Sequence, residues 1–363
     1  MIFKNYLNVV PGIVLALVLY LLSQVINNVI AIELFSANKS PISTAMIAIL
    51  LGLFLGNFFK IREGFLIGLD FTQKYILKLG IICLGIQLKP FEFFKFGKIA
   101  IPLIIVCIIS VLLIIKLLIK RLKISTRMAY LIAIGSTVCG TTAIIATAPV
   151  INAKKAEVAY AIANMTLFGI IAMLIYPYFA NFYFDAKPLF VGLFLGTAIH
   201  ETSQVAAAGL IYDQQFNSPE TLNIATVTKL IRNTFLVIMI PLFAFLYNRG
   251  ETKTKNYSIL DIFPYFVLGF VGMIILRNVG DEVFLIGNNN ISNFWNNSVE
   301  IIKDSAKIFL SMSMAAIGLS TNLKELKNMG YKPFAVGFIA MITVGFVSIF
   351  IIKLYDKFVG LVF

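Results

Sequence analysis

Long apolar runs dominate the chain, and their length limits its fold more than any other feature. A helix needs about 20 apolar residues to cross a bilayer, and lipid-exposed backbone must satisfy its hydrogen bonds within a helix or a closed barrel. Such runs recur along the whole sequence, which is 60% hydrophobic and 13% charged. The sequence therefore predicts an all-α membrane protein with about 11 transmembrane helices, at residues 9–31, 42–59, 73–88, 98–119, 127–151, 155–181, 188–211, 221–247, 259–277, 298–319 and 331–355.

The net charge of +13 comes mainly from basic residues in the short loops between these runs. They form no stripe or patch interleaved with aromatic residues, so the pattern favours positive-inside sorting and no nucleic-acid partner. With a cytoplasmic N-terminus, 17 of the 30 Lys and Arg lie inside, Lys187 among them, and nine lie outside, including Lys154, Lys155, Lys353 and Lys357. The sequence predicts a multi-pass protein with its N-terminus in the cytoplasm and its C-terminus outside.

Two internal repeats are present in the sequence. Residues 84–97 align without a gap with residues 317–330, and Gly52-Leu-Phe-Leu-Gly56 recurs at residues 192–196. In the predicted topology the paired copies run in opposite directions, as in many secondary transporters. We expect one transmembrane domain over 1–363, made of inverted repeats at 42–181 and 187–355. The two repeats imply different registers, and the choice between them stays open.

The fifth run is interrupted by a polar, glycine-containing stretch at residues 135–143. Two glycines relax the helix there, and a helix that restarts near Thr141 would point free N–H groups into the interior, which suits a small anion. The alternative is that the small residues only pack helices and hydrogen-bond the preceding turn. Cys139 is either a packing residue or a reactive thiol. The three cysteines are not spaced as metal ligands or as a disulfide framework.

The seventh run contains a second interruption, which holds the only histidine, His200, next to Glu201. An ionisable residue within a membrane span usually faces a cavity and has a partner. We expect this pair to accept a coupling proton or cation. The alternative is a neutral histidine bonded to a backbone carbonyl and a glutamate at the membrane edge.

Lys229 and Arg232 lie on one face of the eighth run, where they would neutralise Glu201, face an anionic substrate, snorkel to an interface or tie helices together. Asn164 in the sixth run is a candidate for the same cavity. The predicted substrate-binding residues are Ser136, Thr137, Cys139, Gly140, Thr141, Thr142, Asn164, Thr202, Ser203, Gln204, Lys229 and Arg232, and the predicted ion-coupling residues are His200 and Glu201.

These motifs resemble the bacterial putative sulfate exporter family. The resemblance rests on residues 135–151, 157–162, 196–209, 225–232 and 315–323 and extends over nearly the whole chain. It implies an inner-membrane protein related in fold to sodium/proton antiporters and bile-acid:sodium symporters, with inverted repeats and discontinuous helices. The family more often has Asp after the histidine, where this chain has Glu201.

We therefore expect a secondary transporter that exports sulfate or a related small inorganic or organosulfur oxyanion by alternating access. The alternative is a cation transporter of the sodium/proton antiporter type. No catalytic motif or P-loop is present, so neither an enzyme nor an ATP-driven pump is expected. The expected partners are a small inorganic anion, a coupling proton or sodium, and the lipid bilayer. No metal or cofactor is expected, and a homodimer is one option for the oligomeric state.

Overall fold

The computed structural model describes residues 8–34, 40–122, 124–247, 265–284, 289–322 and 331–359. All regular secondary structure in these ranges is helical, which confirms the predicted class. Among the described residues, five helices are long and apolar enough to cross a membrane by length and composition, at Val10–Glu33, Pro90–Ile119, Lys155–Tyr183, Pro219–Phe243 and Phe334–Lys357. Helix length and apolar composition do not support the other predicted crossings within the described residues.

The helices are joined by short connections. They are α1 (Val10–Val29), α2 (Thr44–Phe58), α3 (Glu63–Phe71), α4 (Leu77–Leu84), α5 (Pro90–Leu122), α6 (Thr126–Thr137), α7 (Thr141–Thr147), α8 (Lys155–Tyr183), α9 (Pro188–Ala198), α10 (Thr202–Phe216), α11 (Pro219–Thr234), α12 (Leu236–Tyr247), α13 (Phe266–Phe284), α14 (Asn289–Ser320) and α15 (Tyr331–Val359). Both predicted polar interruptions divide a helix. The run at 221–247 is also divided, which the sequence did not predict, and the start of the run at 259–277 lies outside the described residues.

The helices form two compact units, each assembled from separate stretches of chain. Unit 1 contains residues 1–94, 206–223 and 265–324, and unit 2 contains residues 95–205, 224–264 and 325–363. In unit 1, α2 and α14 are so close that a Cβ atom on Gly52 or Gly318 would overlap the backbone of the other helix. Small residues permit this approach. The repeat boundaries at 42–181 and 187–355 stay a prediction.

In unit 2, α6 and α7 form a helical hairpin, named hairpin 1. Ser125, just before α6, donates a hydrogen bond to Glu157 in the first turn of α8. The other carboxylate oxygen of Glu157 accepts from the backbone N–H of Lys154, 2.8 Å away, where the chain returns to α8. Ile144 of α7 packs beside Gly135 of α6. Hairpin 1 therefore begins and ends at the same end of unit 2, beside the first turn of α8.

A second hairpin, hairpin 2, consists of α9 and α10. Lys187, just before α9, pairs with Asp356 near the end of α15 at 3.3 Å, so α9 starts where α15 ends. Near its own end, α9 packs Gly196 against Thr228 of α11.

The path of α10 shows that this segment folds back. Thr202, at the start of α10, accepts a hydrogen bond from Asn233 near the end of α11, and Gly209 packs on Leu222 near the start of α11. Because α10 runs antiparallel to α11 while Gly196 of α9 lies beside the middle of α11, the chain reverses direction between α9 and α10.

The predicted crossings at 127–151 and 188–211 are not confirmed, because each is divided into two helices and the chain reverses direction at the division. The predicted placement of Lys187 and Lys357 on opposite sides is not confirmed either, since Lys187 pairs with Asp356 next to Lys357. Hydropathy could not reveal this, because a broken helix that continues and one that folds back have the same length and composition.

The two hairpins enter unit 2 from opposite ends. Hairpin 1 starts beside the first turn of α8, through the Ser125–Glu157 contact. Hairpin 2 starts beside the last turn of α8, where the rings of Phe184 and Phe190 are 6.4 Å apart between centroids. The two interruptions consequently meet inside unit 2.

Candidate functional site

The interruption in hairpin 1, named tip 1, consists of Val138, Cys139 and Gly140. Gly140 has φ +66°, a left-handed conformation that favours glycine, and a Cβ atom there would overlap the side chain of Glu201. Tip 1 thus depends on glycine for its turn and for its contact with the other hairpin.

The interruption in hairpin 2, named tip 2, consists of Ile199, His200 and Glu201. Gln204 stabilises this turn, because its side-chain oxygen accepts from the N–H of Glu201 at 3.2 Å and its amide nitrogen donates to the carbonyl of Thr166 at 3.4 Å. The predicted substrate-binding residue Gln204 therefore bonds the backbone in this structure.

Lys229 lies between the two tips with its ammonium group fully buried. Its Nζ donates to the carbonyls of Val138 at 2.8 Å, Ile199 at 3.1 Å and His200. An ammonium group has three donors, so these three carbonyls satisfy it completely.

Arg232 contacts the same two helix ends and is 1% exposed. Its Nε donates to the carbonyl of Thr137 at 2.7 Å, its Nη2 to that of Ser136, and its Nη1 to those of Thr197 and Ile199. The last carbonyls of a helix lack partners within the helix and carry its negative dipole end. Arg232 and Lys229 therefore cap the C-terminal ends of α6 and α9.

The sequence left several alternative roles open for Lys229 and Arg232, and these hydrogen bonds bear on the choice between them. Both belong to the same buried cluster, but their donors are directed at backbone carbonyls in the described structure. Of the roles that the sequence allows, tying helices together fits this geometry best.

Glu201 of tip 2 bonds the start of α7, directly after tip 1. Its Oε1 accepts from the N–H of Thr141, 3.1 Å away, and from the hydroxyl of the same residue. A carboxylate at this position caps the N-terminus of α7. The helix start that the sequence assigned to a substrate anion is thus occupied by the protein's own carboxylate.

The remaining residues predicted in hairpin 1 differ in exposure. The hydroxyls of Ser136 and Thr137 are buried and donate to carbonyls one turn back in α6, at 2.7 and 2.8 Å. Cys139 is buried as well. Thr142 is exposed at the start of α7. Asn164 on α8 is fully buried and packs against Gly337 of α15.

His200 is fully buried, and neither ring nitrogen has a hydrogen-bond partner among the described residues. An unpaired polar group in such a position is uncommon and calls for an explanation.

The N-terminus of α10 has donors that its own helix does not use. The first backbone hydrogen bond of α10 runs from Val205 to Glu201 at 2.9 Å, so the N–H groups of Thr202, Ser203 and Gln204 have no acceptor within the helix. Thr202 and Ser203 are partly exposed. Such a helix start attracts anions.

Asn233 is a site residue that sequence reasoning missed. Its side chain is 3% exposed, and its Nδ2 donates to the Thr202 hydroxyl at 3.0 Å. Its Oδ1 has no partner among the described residues. The available signal was its position directly after Arg232, in a polar segment of an otherwise apolar run.

No group of His, Cys, Asp and Glu side chains in the described part of the chain has the arrangement of a metal site. Over the described residues, fold and site together define an all-helical membrane protein with two interrupted helices that meet at a buried polar cluster. The family described as "Conserved hypothetical protein 698" matches residues 11–337. The chain belongs to this family, whose members are the UPF0324 membrane proteins.

Relatives from several bacteria resemble the chain over most of its length. A UPF0324 membrane protein of Fusobacterium nucleatum is 36% identical over 314 residues, which cover 85% of this chain and 90% of the relative. One of Streptococcus agalactiae serotype V is 36% identical over 338 residues, covering 93% and 94%. One of Clostridium tetani is 33% identical over 351 residues, with the same coverage. No solved structure matches the chain.

Proposed function

We propose that the protein is a secondary transporter for a small anion and that the anion binds at the N-terminus of α10. The observation that carries this proposal is the set of unused N–H groups at Thr202 and Ser203, which lie partly exposed at the junction of two interrupted helices. Non-helical backbone at membrane depth is tolerated where it is buried in protein or lines a cavity, and transporters bind substrates at such helix ends.

The charge balance around the tips favours an anion. Lys229 and Arg232 supply two positive charges, and Glu201 supplies one negative charge. Each helix end contributes about half a charge, negative at the ends of α6 and α9 and positive at the starts of α7 and α10. The cluster therefore keeps about one positive charge, which a bound monoanion would neutralise.

We propose a revised membrane topology of nine crossings, with 126–154 and 188–216 as re-entrant segments from opposite sides, and the two hairpins support it. This topology moves Lys154 and Lys155 to the cytoplasmic side and Lys187 to the outer side. The count of Lys and Arg changes from 17 inside against nine outside to 18 against eight, in better agreement with positive-inside sorting. The N-terminus stays cytoplasmic and the C-terminus outside.

Several finer features remain part of the proposal. The resemblance to sulfate exporters supports export of sulfate or a related oxyanion across the bacterial inner membrane, by alternating access. A coupling proton or sodium would act at Glu201, with His200 beside it. We assign the protein no catalytic activity and no cofactor, and a homodimer stays a prediction.

A sodium/proton antiporter is the second candidate, because Glu201 is a partly exposed carboxylate at the junction. In that case the carboxylate would carry the cation, and anions would have no effect on transport. Sodium-dependent proton movement without any anion dependence would favour this candidate.

The test is flux in proteoliposomes, with a panel of small oxyanions supplied on one side and sodium varied independently. The Ser203→Ala variant removes the hydroxyl beside the free N–H groups, and we expect it to lower anion flux several-fold. Ser298→Ala, which changes a partly exposed serine that bonds only its own helix, is the matched control. Absence of anion flux in the unmodified protein, or equal flux in both variants, would contradict the proposed site.

A further inference from the structure

We propose that the anion held at the start of α10 is a monoanion that carries a proton, such as hydrogen sulfite, hydrogen carbonate or dihydrogen phosphate, and that the sulfate dianion is excluded. This inference rests on the proposed function and names its substrate class. It follows from the hydrogen-bond acceptors that stand beside the donors of the same site.

The donors at the start of α10 suit the negative oxygens of any oxyanion. The N–H groups of Thr202 and Ser203 are unused by the helix, and the Ser203 hydroxyl lies next to them, partly exposed. These groups alone would not distinguish one small anion from another.

Asn233 supplies the first acceptor. Its amide group is fixed at the start of α10 by the 3.0 Å bond to the Thr202 hydroxyl, which leaves Oδ1 buried and unpaired among the described residues. A buried acceptor without a donor is unfavourable. A ligand that brings its own O–H group would satisfy this oxygen, and an anion without hydrogen would not.

Glu201 supplies the second acceptor and an electrostatic filter. Both of its hydrogen bonds go to Oε1, and Oε2 accepts none within the described ranges. Its carboxylate immediately precedes Thr202, so it repels a bound anion in proportion to the anion's charge. A dianion experiences twice the repulsion of a monoanion and offers no proton to the free oxygen. Carboxylate and amide acceptors therefore select for the protonated form.

The test uses the full-length protein in detergent, with thermal unfolding measured against four probes. These are sulfate, a dianion without an ionisable proton; methanesulfonate, a monoanion without one; and hydrogen sulfite and dihydrogen phosphate, which are monoanions with at least one. Ligands that bind the native state raise its melting temperature. We expect at least one of the protonated monoanions to bind at least about tenfold more tightly than sulfate and methanesulfonate.

A matched variant tests the acceptor directly. In Glu201→Gln the side-chain oxygen still accepts from Thr141, while the amide nitrogen replaces the free oxygen and becomes a donor. We expect the ratio of sulfate to dihydrogen phosphate affinity to rise at least tenfold. Glu220→Gln, at an exposed position in the first turn of α11, is the control and should leave the ratio unchanged.

The outcomes separate this inference from the proposed function. Sulfate or methanesulfonate binding as tightly as the protonated anions overturns the inference and leaves anion transport standing. No binding or flux with any of the four overturns the inference, and anion flux absent across the wider oxyanion panel overturns the proposed function too. If Glu201→Gln does not fold, the probe series on the unmodified protein still decides.

Discussion

At the scale of single residues, the unusual feature is a pair of fully buried cations whose partners are backbone carbonyls. Burying a charge is costly unless hydrogen bonds and opposite charges compensate. In this protein the compensation comes from the ends of α6 and α9, whose carbonyls have no partners inside their own helices. Lys229 and Arg232 therefore make two interrupted helices compatible with a membrane interior.

This role predicts a strong effect of Lys229→Met on stability. The substitution keeps most of the side-chain volume but leaves the buried carbonyls of Val138 and His200 without their donor, at about 1–3 kcal/mol each, and leaves Ile199 only its bond from Arg232. We expect a loss of roughly 3 kcal/mol or more, measured as lower thermal stability of the purified protein. Lys74→Met is the control, since Lys74 pairs with Asp70 on the surface and its loss should matter little. Similar melting temperatures for the two variants would contradict the capping role.

At the scale of helices, contacts between neighbours fix directions that the apolar pattern leaves open. In unit 1, such a contact joins α13 and α14. Trp295 of α14 and Arg277 of α13 both bond Asp281 in the last turn of α13, each at 2.8 Å. Burial alone would raise the pKa of the Asp281 carboxyl, but the hydrogen bonds from Trp295 and Arg277 outweigh it and hold the pKa below its ordinary value.

This contact predicts a pH-dependent effect of Trp295→Phe. The folded protein holds the Asp281 proton more weakly than the unfolded chain, so the carboxylate stabilises the fold above the ordinary aspartate pKa and loses this contribution as the pH falls through the lowered value. The variant retains an aromatic ring but removes the N–H donor. Thermal unfolding should show the largest difference from the unmodified protein near neutral pH and a smaller one under acid conditions. A difference independent of pH would indicate lost packing alone.

At the scale of the whole chain, the decisive property is which segments cross the membrane. Nine crossings and eleven crossings both place the two termini on opposite sides, so the termini cannot distinguish them. The loops between can, because the two re-entrant hairpins that we propose would reverse the side of every loop between 152 and 187.

We therefore predict a specific labelling pattern with a membrane-impermeant thiol reagent in intact cells. Cysteines introduced at Lys187 and Lys357 should react from the same, outer side, and cysteines at Lys155 and Arg62 should react only after the membrane is opened. The unmodified protein controls for reaction at Cys83, Cys107 and Cys139. Eleven crossings would instead expose Lys155 and protect Lys187.

The sequence by itself determined the helical class, the membrane environment and the positions of both interruptions, because these follow from local composition. Apolar length identifies a membrane helix, and glycine with polar residues in its middle identifies a break. The residues at 135–142 and 200–204 were accordingly singled out by the sequence, together with Lys229 and Arg232, and the structure brings them to the two breaks.

Only the tertiary structure decided what happens at each break. Whether the chain continues or turns back after Gly140 depends on contacts such as Ser125 with Glu157, which are far apart in sequence. The same holds for the roles of Lys229, Glu201 and Asn233, because a charge or an amide finds its partner through the fold. Local sequence specifies the donors and acceptors, and packing determines which of them remain free for a ligand.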